Sequence, residues 1–229
     1  MRRSAAVNPS LLLVAHGTRA PEGPRVIEAL AAAAATRVGA PVHVGYVDVI
    51  GPTVAEALAR IPGPVVAVPA FLAAGYHVRT DLPEQILSTG RADVVVTGPL
   101  GPAPEITDAL LDRLREAGWR PGRQVLLSAA GSSDERALGD VRAAARDLGR
   151  RCGQWLNPSY ITTASPRTAQ VCRADAFLSP YLLAPGLFHR TLAQLPVAGV
   201  ADPIGTHPAV VDLIARRYLR AVRDDVFAA

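Results

Sequence analysis

Apolar and polar positions along the first half of this chain fall into alternating blocks. Short β-rich, largely apolar runs of strand length occupy residues 11–15, 42–49, 65–70 and 94–97. Between them a helical period predicts helices over 25–38, 53–60, 82–88 and 104–117. Strands that are apolar throughout, rather than alternating, are buried on both faces. Alternated with helices they imply α/β architecture with a parallel, doubly wound sheet. Two helix starts have the form of a capping box, Thr53-Val54-Ala55-Glu56 and Asp81-Leu82-Pro83-Glu84. Asp81 is accordingly read as a helix N-cap.

The pattern then repeats. Val125-Leu126-Leu127-Ser128-Ala129-Ala130-Gly131-Ser132 echoes Leu11-Leu12-Leu13-Val14-Ala15-His16-Gly17-Thr18. Tyr181-Leu182-Leu183-Ala184-Pro185-Gly186 echoes Phe71-Leu72-Ala73-Ala74-Gly75 with one insertion, and Pro203-Ile204-Gly205 echoes Pro99-Leu100-Gly101. After the last pair, Asp108 matches Asp212 and Arg113 matches Arg217. Three echoes in one order imply an internal duplication: two tandem doubly wound lobes, 1–121 and 122–229, facing each other across a cleft.

Composition narrows the chemistry. All 24 basic residues are arginine. Without lysine there is no Schiff base, no P-loop lysine and no lysine base, which excludes pyridoxal enzymes, Walker-type ATPases and lysine-dependent aldolases. The formal net charge is only +4, the arginines are scattered and aromatic residues are few, so nucleic acid is not an expected partner. Cys152 and Cys172 form no CxxC pair and read as small core residues. No apolar run has the length of a membrane span or of a signal-peptide core, so a cytoplasmic protein is expected.

Ligands of a doubly wound sheet bind at the carboxyl ends of its strands. Three polar groups fall there in the first lobe. His16 follows strand one, Asp48 falls at the end of strand two, and His77 lies in the loop after strand three. Two imidazoles and a carboxylate on one rim would suit a borderline divalent metal, and the imidazoles can accept protons near neutral pH. Ala130, Thr162 and Phe188 occupy the matched places in the second lobe, which therefore reads as a copy without metal-handling groups. His43, His189 and His207 are read as structural. Arg167, Arg173 and Arg190 are candidate partners of substrate carboxylates.

The segments Leu11–Arg19 and Phe71–Pro83, followed by Pro99-Leu100-Gly101, resemble the sirohydrochlorin chelatases, the class II chelatases of sirohaem and cobalamin synthesis. The resemblance spans nearly the whole chain. It is to the long form, in which two lobes are fused and one keeps the histidines. It implies ATP-independent insertion of Fe²⁺ or Co²⁺ into sirohydrochlorin, with no cofactor besides the metal. It also implies that His16 and His77 hold the metal and help remove the pyrrole protons. Asp48 is the third candidate ligand, although the family usually has the longer Glu there. Gly17, Arg19, Gly75, Tyr76 and Arg79, beside the two histidines, are the expected substrate contacts. The ring is wide and edged with carboxylates, so an open cleft with arginines at its rim is expected, and two fused lobes let a monomer suffice.

Two other readings compete. His16-Gly17-Thr18-Arg19-Ala20-Pro21 matches part of the histidine acid phosphatase motif. That chemistry, however, needs an arginine where Ala15 stands and a later His-Asp or His-Glu pair, and none of the five histidines is followed by an acid. A non-catalytic tetrapyrrole or metal carrier would use the same groups without turnover.

Overall fold

A computed structural model of the chain describes residues 8–224. The apolar runs of the first half form β1 (Ser10–Ala15), β2 (Val42–Tyr46), β3 (Val65–Pro69) and β4 (Val94–Val96). They make one parallel sheet in the order β2-β1-β3-β4. Its helices are α1 (Glu22–Val38), α2 (Val54–Arg60), α3 (Leu82–Ser88) and α4 (Pro104–Glu116). The second half repeats the plan with β5 (Val125–Ala129), β6 (Ser159–Tyr160), β7 (Phe177–Tyr181) and β8 (Gly199–Val200), ordered β6-β5-β7-β8. Its helices are α5 (Glu135–Cys152), α6 (Thr168–Val171), α7 (Leu187–Ala193) and α8 (Pro208–Arg223). The architecture is the two-lobed, parallel α/β fold that the pattern implied.

The unbroken apolar runs follow from burial on two faces. Leu11, Leu13, Val66 and Val68 share a core with Leu30 and Ala34 of α1, whereas Leu12, Val14, Val65 and Ala67 pack with Val54, Leu58 and Leu82 on the opposite side. Each Leu or Val so buried contributes about 1.5–3 kcal/mol. The capping box at Thr53 is complete: its hydroxyl accepts from Glu56 N–H and the Glu56 carboxylate accepts from Thr53 N–H. β2 stops at Tyr46, short of the expected 49. The chain turns there, because Val49 takes a left-handed φ of 70° and the Asp48 carboxylate accepts its N–H.

The lobes exchange their last helices. α8 packs on β3 of the first sheet, and α4 packs on β7 of the second. The residues matched by the repeat then make reciprocal contacts. Asp108 of α4 pairs with Arg151 of α5, and Asp212 of α8 pairs with Arg37 of α1. Arg113 donates to Ile204 O, and Arg217 donates to Pro99 O. Leu110 and Leu114 share one continuous core with Leu127, Val211 and Ile214, so apolar packing runs unbroken from one sheet to the other. Among the described residues no helix is long and apolar enough to cross a membrane.

Candidate functional site

The loops at the carboxyl ends of both sheets line one cleft of about 520 Å³. His16, Leu72, Tyr76 and His77 come from the first lobe, and Ala130, Ser132, Thr162 and Phe188 from the second. A hollow of about 430 Å³ adjoins it, sharing His16 and Phe188 and lined further by Gly17 and Leu187.

His16 leaves the end of β1 and is exposed. Its carbonyl accepts from Asp48 N–H at 3.0 Å, and its ring Nδ1 lies 3.1 Å from Gly17 O. Gly17 has φ 96°, and a Cβ there would stand 2.1 Å from Asp48 O, so the crossing of these two loops requires glycine.

His77 opens a π-helical turn, His77–Asp81, closed by Leu82 N–H donating to His77 O. Pro83 gives the wide turn a physical cause. It has no N–H, and in a regular helix its ring would clash with the Arg79 carbonyl four residues back. Insertions of this kind recur at functional sites. The loop leading to His77 is held by the second lobe: Tyr181 O–H donates to Leu72 O at 2.8 Å, and Ala74 N–H donates to Asp140 Oδ2 at 2.8 Å. Burial, with Asp140 nearby, drives the Tyr181 hydroxyl far above the ordinary phenol range, so it remains a donor. Arg79 Nε–H donates to Ala74 O at 2.7 Å and tightens the loop from within.

These two loops bring the imidazoles together. The ring centroids of His16 and His77 are 4.3 Å apart, edge to face at 76°. The capping box expected at Asp81 does not form: Asp81 has helical φ and ψ and makes no side-chain cap. Its Oδ2 instead lies in hydrogen-bond contact with His77 Nδ1. The π turn carries the chain into α3 without the extended residue that an N-cap needs.

The other expected site residues divide. Gly75 and Tyr76 line the cleft, with Tyr76 60% exposed and its ring 6.1 Å from that of His77. Arg19 is exposed beyond the β1 loop. Asp48 lines an acidic pocket of about 410 Å³ together with Asp81 and Glu84. Among the described residues no group of three or more His, Cys, Asp or Glu is arranged as a metal cluster, and Asp48 is not among the residues that line the cleft. No arginine among the described residues lines the cleft or its adjoining hollow, while Arg19 and Arg79 are exposed on the loops that carry the histidines. Arg167 donates to Ile161 O, Arg173 pairs with Asp175, and Arg190 pairs with Glu22. The polar groups of the second wall are hydroxyls, from Ser132, Ser133, Thr162 and Thr163.

Of the remaining histidines, His43 lies within β2, His189 Nε2 is 3.3 Å from Ala201 O, and His207 caps α8 by accepting Ala209 N–H. Sequence reasoning missed Asp81, Tyr181 and Asp140. The four-residue spacing from His77 to Asp81 was visible but was masked by the capping-box form. Nothing local marked Tyr181 or Asp140, because their partners lie far away in the chain.

Comparison with known proteins follows this geometry. The model of the CbiX family matches twice, over residues 10–117 and 124–221. A sirohydrochlorin cobaltochelatase of Methanothermobacter thermautotrophicus is 29% identical over 130 residues, which cover 47% of this chain and 91% of that protein. One from Methanococcoides burtonii is 32% identical over 128 residues, covering 46% and 94%. Among solved structures, SirB from Bacillus subtilis with Fe³⁺ superposes with a TM-score of 0.80 at 22% identity, covering 94% of this chain and 95% of that one. CbiX, the terminal enzyme for biosynthesis of sirohaem in denitrifying bacteria, gives 0.72 at 25% identity, covering 93% and 98%. The short relatives each span about half of this chain, and the family pattern occurs once in each of its two halves: the chain belongs to the CbiX family.

Proposed function

We propose that this chain is a metal chelatase that inserts a divalent ion, Fe²⁺ or Co²⁺, into sirohydrochlorin without ATP, and that His16 and His77 form its metal-handling site. The observation that carries the site is the meeting of these two rings, 4.3 Å apart, at the edge of a cleft built from both lobes.

Insertion replaces two pyrrole N–H protons by one M²⁺, so two protons must leave the ring as the metal enters. A pair of neutral imidazoles can hold the ion facing the macrocycle. As the ion passes to the pyrrole nitrogens, the same imidazole nitrogens become free to accept protons. The macrocycle is flat and apolar on its faces. Phe71, Leu72 and Val78 offer one apolar surface, and Leu138, Val141 and Phe188 offer the other. The carboxylates at its edge meet the serine and threonine hydroxyls of the second wall, with Arg19 and Arg79 on the loops that carry the histidines.

In this reading residues 1–121 hold the metal and 122–229 form the opposite wall and anchor the His77 loop. One chain supplies both walls, so a monomer suffices. A cytoplasmic setting agrees with Cys152 and Cys172 being free thiols. Burial pushes the Cys152 thiol up to about 11, so it is not a reactive nucleophile. The test is absorbance-monitored insertion into sirohydrochlorin with Co²⁺ or Fe²⁺ and no nucleotide. Repeated turnover is expected. Stoichiometric binding with no metallated product would make the protein a carrier instead.

A further inference from the structure

We infer that Asp81 is a positioning residue, whose carboxylate fixes His77 in the tautomer with its proton on Nδ1 and so presents Nε2 as a lone-pair ligand to the cleft. The inference rests on the proposed role of His77 as a metal ligand and deepens it.

A neutral imidazole carries its proton on one nitrogen only, and the other alone can bind a metal or accept a proton. For His77 the choice is made by Asp81. Nδ1 lies in direct hydrogen-bond contact with Asp81 Oδ2, and an ionised carboxylate can only accept. Nδ1 therefore carries the proton, and Nε2 is left for the cleft that His77 lines. Residues four apart share a helix face, which places the two side chains together. The carboxylate has no competing role as a cap.

His16 is held differently. Its Nδ1 faces Gly17 O at 3.1 Å, a neutral carbonyl of the next residue. This favours the same tautomer but adds no charge behind the ring. Both imidazoles thus offer Nε2, and only His77 is backed by a carboxylate. The second lobe shows the converse. Phe188 stands where His77 would map, and four residues on, at the place of Asp81, is Leu192, 1% exposed. Imidazole and carboxylate are present together in one lobe and absent together in the other. A carboxylate behind a ligating imidazole raises its basicity and fixes its orientation, and removing one typically lowers metal affinity about 10–100-fold.

The experiment uses the full chain, metal-free and labelled with ¹⁵N-histidine, at pH ~8, where a free imidazole is neutral. Long-range ¹H–¹⁵N spectra report which ring nitrogen is protonated, and the His77 signals are those lost in His77→Ala. The expected result is protonated Nδ1 and unprotonated Nε2 in the unaltered protein. In Asp81→Asn the tautomers should mix or invert and Co²⁺ affinity should fall about 10–100-fold, with partial recovery in Asp81→Glu. A proton on Nε2 of His77 in the unaltered protein overturns the inference, and this result needs no variant to fold. Unchanged tautomer and unchanged Co²⁺ affinity in Asp81→Asn also overturn it. If instead His77→Ala binds Co²⁺ as tightly as the unaltered chain, the metal-site reading fails first, which separates the two failures.

Discussion

The two lobes keep the same strand order and loop crossings and differ in the side chains placed there. In the first, Val47 N–H donates to Ala15 O and Asp48 N–H to His16 O; in the second, Ile161 N–H donates to Ala129 O and Thr162 N–H to Ala130 O. Tyr46 bridges to Thr53, and Tyr160 bridges to Arg167. Gly17 and Gly131 both take left-handed φ, near 96° and 106°, where each loop crosses its neighbour. On these matched frames His16 corresponds to Ala130, Asp48 to Thr162, His77 to Phe188 and Asp81 to Leu192. The outer faces differ too. Val14 belongs to an apolar cluster, whereas Ser128, its counterpart, joins a buried hydroxyl network with Ser159 and Thr168. A duplicated frame can therefore keep its crossings while the paired imidazoles and the carboxylate beside them stand in one copy. The other copy is free to become a wall and an anchor.

Breaking the chemical half of the comparison should have the largest effect. His16→Ala and His77→Ala should each lower sirohydrochlorin metallation about 100-fold or more, the scale of a lost proton-transfer group. Phe188→Ala at the matched position should cost a few-fold at most. Initial rates by absorbance decide this, and equal losses in both lobes would remove the distinction between them.

The anchoring role is tested next. Tyr181→Phe removes the hydroxyl that the second lobe sends to Leu72 O and leaves a buried carbonyl without its donor. Stability should fall by about 1–2 kcal/mol in urea unfolding. The loss should be accompanied by slower metallation, because the same loop carries His77. Unchanged metallation would make the anchor purely structural.

The seam between the exchanged helices should give a smaller, pH-dependent effect. A hydrogen bond from Arg216 of α8 holds the Glu105 carboxyl of α4 below its usual value of 4.5. A depressed carboxylate stabilises the fold above its unfolded value, and that stability is lost as pH falls through the folded one. Glu105→Gln should therefore flatten the acid limb below about pH 4.5 while lowering stability at neutral pH by less than about 1 kcal/mol, since Arg216 is largely exposed. Thermal unfolding across pH measures it, and an unchanged acid limb would show that the pair contributes nothing.

The smallest expected effect is none. Grafting imidazoles into the second lobe, as Ala130→His with Phe188→His, should not create a second cobalt site. Leu192 is buried where Asp81 would have to be, so the new ring would have no carboxylate behind it. Calorimetry should still find one cobalt per chain. Two would show that the matched backbone alone suffices for a site.

The legible parts of this protein were the local and the repeated ones. Runs such as Leu11–Ala15 could only be strands buried on both faces, and Thr53 and Glu56 specified a helix start through contacts three residues apart. The echoes of His16-Gly17 in Ala130-Gly131 and of Pro99–Gly101 in Pro203–Gly205 disclosed the duplication. His16 and His77 stood out because each follows a strand in a glycine-bearing loop. Asp81 was misjudged because one short pattern, Asp-x-x-Glu, fits two local structures, and Pro83 with the His77 ring decided for the π turn.

The sequence by itself determined the strands, the lobes and the pair of histidines, because these depend on burial period, chain order and residue type. Only the tertiary structure decided that α4 and α8 change places, that Tyr181 and Asp140 hold the His77 loop, and that Asp48 shares a pocket with Asp81. The physical reason is distance along the chain. Hydrophobic period is written residue by residue, whereas a hydrogen bond between positions 72 and 181 has energy only once two sheets have packed through a common core.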